Sequence, residues 1–235
     1  MRNFPAVRHG VALSALIATA FPVAAQRSAA PTLDAADLEA RAAAAAPAAI
    51  ERFRELLTYP NDANDPDAML RLVAWLESEF GARGFRTRRL ETPGLPLLLA
   101  ERAAPGATRT ALVYLQADGQ PVDPAAWDQA SPWQPVAKAR GADGAWREMP
   151  WDRLVAQRDP DWRIFARSAS DSKGPVAQFL AAVTLLDDAG VAPGMNLKVI
   201  VDTQEEQGSP HLPAAVERHR ELLAADLLVI FDGPP

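Results

Sequence analysis

The chain has 235 residues, 49% of them hydrophobic, no cysteine, and a formal net charge of −6. The length suits one large domain or two small ones, and the acidic balance, with no basic face, excludes a nucleic-acid binder. Without cysteine there are no disulfides, so an exported form must draw its stability from packing or metal.

The opening "MRNFPAVRHG" carries Arg2 and Arg8 and no acid, and the apolar "VALSALIATAFPVAA" follows. Val23 and Ala25 fit the small-residue pattern of a cleavage site before Gln26. Residues 1–25 therefore read as a secretory signal, short of the ~20 apolar residues of a comfortable membrane span. The protein is expected to be exported, periplasmic or secreted, with no membrane association after cleavage. Residues 26–45 read as a tail or linker. Ile50, Phe53, Leu56 and Leu57 mark an amphipathic helix, with Pro47 expected to break or start it. In "NDPDAMLRLVAWLESEFGARGF", Leu70, Val73, Ala74, Leu76 and Phe80 approximate one helical face, with Asn64 or Asp65 as cap and Gly81 or Gly84 as stop.

The pattern then changes. "FRTRRLE", "PLLLAER" and "TALVYLQ" read as short strands, and a polar stretch over 117–160 follows, with a hairpin expected around Asp143-Gly144. "WRIFARSASDSKG" gives a strand and a polar turn. Val176, Phe179, Leu180, Val183 and Leu186 form a helical stripe closed by Gly190. "NLKVIVDTQ" reads as a buried strand, "PHLPAAVERHRELLA" as a helix and "DLLVIFDG" as a second buried strand. Alternating strands and helices make an α/β layered domain.

Ligands of open α/β sheets bind beyond the carboxyl ends of the strands. Asp118, Asp171, the Glu205–Glu206 pair and Asp232 all follow strand patterns. Crowded carboxylates repel and raise one another's pKa, which a divalent cation relieves. Taken singly, Asp171 reads as a helix cap, Asp232-Gly233 as a turn and the glutamate pair as a solvated turn. Their joint placement favours a site. His211 and His219 read as surface residues.

"LVYLQADGQPVDPAAWDQASPWQPV", "ARSASDSKGP", "DTQEEQGSP" and "LLVIFDG" stand in the order and spacing of the di-zinc metallopeptidases of family M20, which the chain resembles over roughly residues 50–235. That family includes carnosinase-type dipeptidases, glutamate carboxypeptidases, desuccinylases and aminoacylases, and the "QPVD…W…SPWQPV" stretch looks most like the dipeptidase branch. The resemblance implies a three-layer α/β domain, a mixed and mostly parallel sheet with helices on both faces. Residues 46–235 would be the N-terminal part of the catalytic domain, incomplete at its C-terminal side and without the lid or dimerisation domain. It implies two divalent ions, Zn2+ foremost, with Asp171 as the bridging ligand and Glu206 and Asp232 as ligands of one ion each. Glu205 resembles the general base that takes a proton from metal-activated water and passes it to the leaving amine. Asp118 resembles the acid that orients an imidazole ligand. A cis peptide bond after Asp171 is implied as well. The substrate would be a dipeptide, short peptide or N-acyl amino acid, and a homodimeric full-length protein stays open.

Two departures qualify the resemblance. Gln116 stands where the family has a ligating histidine, and an amide oxygen matches zinc less well than an imidazole nitrogen. The family's other ligating histidine lies downstream of the residues matched. The alternative reading is a metal-poor relative that binds a peptide or amino acid without cleaving it.

Overall fold

The computed structural model describes residues 33–233. The signal reading of residues 1–25 and the first part of the tail reading lie outside the described residues. In chain order the elements are α1 (Ala35–Leu57), α2 (Pro66–Ala82), β1 (Arg86–Leu90), β2 (Leu97–Arg102), β3 (Thr110–Gln116), β4 (Val136–Arg140), β5 (Trp146–Met149), α3 (Trp151–Gln157), β6 (Arg163–Phe165), α4 (Lys173–Asp188), β7 (Asn196–Asp202), α5 (Leu212–Arg218), α6 (Arg220–Leu223) and β8 (Leu227–Ile230). Among the described residues no helix is long and apolar enough to cross a membrane.

Residues 35–45, expected as tail or linker, instead form the first turns of α1, which runs through Pro47 without a break. Alanine has the highest helix propensity, so the run propagates, and Asp34 caps it by accepting the N–H of Asp37 at 2.8 Å. Pro47 removes one hydrogen bond, which a helix packed against α3 and α4 tolerates. In α2, Asp65 is the cap and accepts the N–H of Ala68. Its buried face is Met69, Leu72, Val73, Leu76 and Phe80, while Leu70 and Ala74, expected inside, face out.

The main sheet has the order β1-β2-β7-β3-β8. β7, β3 and β8 run parallel, and β2 and β1 continue the sheet with antiparallel pairings. Successive side chains of a strand point to opposite faces, and the apolar runs of β2 and β7 fill both. Leu98, Ala100, Val199 and Val201 join Leu72, Leu76, Phe80, Val176 and Leu180 in the larger core, under α2 and α4. Leu97, Leu99 and Ile200 join Ala215 and Leu223 in the smaller one, under α5 and α6. The result is the expected three-layer α/β domain, helices on both faces of a mixed sheet.

Two strand expectations differ from the structure. β6 belongs to a separate three-stranded antiparallel sheet, β5-β4-β6, and not to the main one. The hairpin expected at Asp143-Gly144 is the β4–β5 turn of this small sheet, with Gly144 at φ 81°. Leu154 and Trp151 of α3 pack on its Ala137. β8, expected to be buried, is the sheet's edge: Leu227, Leu228, Val229 and Ile230 are 46, 58, 40 and 66% exposed. Its apolar composition signals a strand meant for burial, but among the described residues only β3 lies beside it.

Candidate active site

Three parallel strands end at one edge of the main sheet, and each delivers an acid. β3 leads through Gln116 and Ala117 to Asp118, β7 leads to Glu205 and Glu206, and β8 leads to Asp232. Asp171 arrives by another route than expected. No strand of the main sheet carries it; the loop after β6 sets it at the start of α4. The Asp171–Ser172 bond is cis, as the resemblance implied. Ser172 Oγ donates to the carbonyl of Gln116 at 3.0 Å, which fastens this loop to the end of β3.

The backbone after β8 reaches the same loop. A Cβ on Gly233 would lie 2.2 Å from the carbonyl oxygen of Ser170 and 2.9 Å from Cα of Asp171, a contact only glycine permits. The segment carrying Asp232 thus lies against the one carrying Asp171. The glutamate turn is tied in from β3: both oxygens of Asp118 are occupied, accepting the N–H of Glu205 and of Glu206, each at 3.0 Å. Gln120 donates to the Glu206 carboxylate from the other side.

The charges register this crowding. Burial raises the Asp171 carboxyl above its ordinary pKa, and the charges of Glu206 and Asp232 raise it further. Glu205 is raised by burial, then by Glu206, Asp232, Asp171 and Asp202. Burial pushes Asp118 up to about 7, although the N–H groups of Glu206 and Glu205 pull the other way. Each of these shifts disfavours the bare ionised form, and a cation among the carboxylates reverses it.

Gln116 is 3% exposed, and among the described residues its buried side-chain carbonyl oxygen Oε1 has no hydrogen-bond partner. An orphaned buried acceptor calls for an explanation, of which an ion is one. Asp171, Glu206, Asp232 and Gln116 offer oxygen donors only. Such a set suits a hard divalent cation and admits Zn2+ through its carboxylates. Among the described residues no three His, Asp or Glu side chains form a ready-made ion-holding group.

Sequence reasoning missed Asp202 and Asn61, which lie beneath this edge. Asp202 accepts the hydroxyls of Tyr114 at 3.0 Å and Ser209 at 2.7 Å. Asp202 reads simply as a strand terminus, and the available signal was a buried-strand register ending in an acid. Asn61, fully buried, donates to the carbonyl of Ala117 and to Ser168 Oγ, bracing the loop that holds Asp118.

A parallel three-strand edge crowded with carboxylates, joined to a helix start by an aspartate loop, defines the class: a three-layer α/β domain with an acidic candidate site. The sequence profile of peptidase family M20/M25/M40 matches residues 117–235, and the chain belongs to that family. Human Beta-Ala-His dipeptidase is 29% identical over 140 residues, which cover 59% of this chain and 23% of that protein. An M20 family metallo-carboxypeptidase from Sulfolobus solfataricus superposes with a TM-score of 0.62 at 25% identity, covering 78% of this chain and 37% of its own. Human carnosine dipeptidase 1 superposes with a TM-score of 0.67 at 21% identity over 87% of this chain and 42% of its own. The yeast di-peptidase Dug1p, from Saccharomyces cerevisiae, gives 0.64 at 18% over 82% and 40%. These last two share the fold. The chain spans less than half the length of each of these relatives.

Proposed function

We propose that the protein hydrolyses the amide bond of dipeptides or short peptides with the help of divalent cations, Zn2+ foremost, held by Asp171, Glu206, Asp232 and Oε1 of Gln116. The observation that supports this most is the meeting of Asp171, Glu205, Glu206 and Asp232 at one sheet edge, where burial and then the charges of Glu206 and Asp232 raise both Asp171 and Glu205. A bound divalent cation would supply Lewis acidity and bring the pKa of water toward ~7. Glu205, next to the ligand Glu206 on the same turn, takes the proton from the attacking water and delivers it to the departing amine. A base so placed contributes roughly 10²–10⁴-fold. Asp118 holds the turn so that the two glutamates keep their division of labour. An exported location, read from residues 1–25, belongs to the same proposal.

Gln116 in the place of a histidine favours the second reading, a peptide or amino-acid binder without turnover. Glu205→Gln and Glu206→Gln in the full-length protein separate the two. The first should abolish most dipeptide cleavage at unchanged metal content, and the second should lower metal content. A wild-type protein that binds dipeptide but takes up no Zn2+ and cleaves nothing would establish the binder.

A further inference from the structure

We propose that Asp202 is the positioning residue of the glutamate turn: its one carboxylate fixes the chain on both sides of Glu205 and Glu206 and fastens it to β3. The inference deepens the proposed function and rests on it for its catalytic meaning. Asp202 is the last residue of β7 and 1% exposed. Its Oδ1 accepts the N–H of Gln204 at 3.0 Å, just before the glutamates. Its Oδ2 accepts the hydroxyl of Ser209 at 2.7 Å, just after them. The same oxygen accepts the hydroxyl of Tyr114 at 3.0 Å, from the neighbouring strand. Three donors from three points of the chain therefore converge on one side chain. Between its two anchored ends the turn reverses through Gly208 at φ 80° and Ser209 at φ 51°, a left-handed stretch that a side chain occupies only when its surroundings hold it there.

Among the described residues no lysine, arginine or histidine pairs with Asp202, although a buried carboxylate is ordinarily paired. What a carboxylate supplies, and an apolar side chain does not, is acceptor capacity on both oxygens. It obliges Tyr114 and Ser209 both to donate inward. Asp118 grips the middle of the turn by the N–H groups of Glu205 and Glu206, and Asp202 grips the two ends. Together they fix the base and its neighbouring ligand as one rigid pair.

The test uses the full-length protein with Asp202→Ala, Asp202→Asn and the double change Tyr114→Phe with Ser209→Ala. Asparagine keeps Oδ1 for Gln204, and its amide group donates to the two hydroxyl oxygens, so it should rescue what alanine loses. In metal-free protein, hydrogen exchange at the Glu205 and Glu206 amides should accelerate by about tenfold or more in Asp202→Ala, with the strands of the main sheet unchanged. Zn2+ affinity, titrated with the metal alone, should fall by about tenfold, and kcat should fall with KM within about twofold. Asp202→Asn should recover most of each loss. The double variant should reproduce the exchange effect in smaller measure and serves if Asp202→Ala does not fold. Unchanged exchange at Glu205 and Glu206, or acceleration spread evenly over the whole domain, would overturn the assignment. A wild-type protein that takes up no Zn2+ would instead overturn the proposed function, while the exchange measurement still decides whether Asp202 is the clamp.

Discussion

Replacing Gln116 by methionine tests the acidic edge as a cation site without touching a charge. The glutamine is 3% exposed, and its Oε1 has no partner among the described residues. A buried acceptor left unmade costs about 1–3 kcal/mol. Methionine has nearly the same length and no carbonyl, and a swap of similar volume costs less than about 1.5 kcal/mol. In metal-free, chelator-treated protein, Gln116→Met should therefore gain about 1 kcal/mol, which for a chain of this size raises Tm by about 2–4 °C. With Zn2+ the order should close up or reverse. At a free concentration one hundred times Kd, the wild type should gain about 2.7 kcal/mol, whereas a variant binding tenfold more weakly should gain only about 1.4 kcal/mol. Paired thermal or guanidinium unfolding, with chelator and with Zn2+, reads both effects. A variant less stable than wild type without metal, yet with the same gain from Zn2+, would show that Oε1 already has a partner and lies outside the cation site.

Gln116→His should do the opposite to affinity, tightening Zn2+ binding in calorimetric titration, because imidazole nitrogen is the better donor. Gly233→Ala should weaken Zn2+ binding by about tenfold, because the added Cβ meets the backbone of Ser170 and Asp171 and must push the Asp232 segment away. Phe80→Ala removes a fully buried ring packed against Phe85 and Phe179, with centroids at 5.4 and 6.2 Å. It should cost about 3–5 kcal/mol in chemical denaturation, with Zn2+ affinity, measured where the protein is still folded, within about twofold of wild type.

The placement of the proposed site residues was legible because strand ends are legible. "LKVIV" and "TALVYLQ" are apolar runs that stop abruptly, and the acids just beyond them, Glu205–Glu206 and Asp118, fall at one sheet edge because the two strands pair in parallel. The route of Asp171 was not legible, because "WRIF" is a strand pattern too short for anything local to say which sheet it joins. Burial of β8 was misread for a related reason: "LLVI" reports how apolar a strand is, while its neighbours decide how covered it is. Pro47 suggested an interruption that the flanking alanines override. Asp202 escaped notice because its three partners come from β3, the residue two further on and the far side of the turn, a convergence that exists only in space.

β8 has a dynamic consequence beyond its exposure. Among the described residues it is hydrogen-bonded along one edge, to β3, and its four side chains are largely exposed. Segments with few buried contacts open at lower free energy than the core, so within the described residues β8 is held less firmly than β3 and β7, and Asp232 directly follows it. Asp118 and the glutamate turn are fastened to β3 and β7. The candidate ligand set is thus divided between a part fixed by β3 and β7 and a part fixed through β8. In the proposed cation site, affinity would be the intrinsic affinity reduced by the fraction of time β8 is docked, and a bound ion would in turn slow exchange at the amides of Leu227–Ile230.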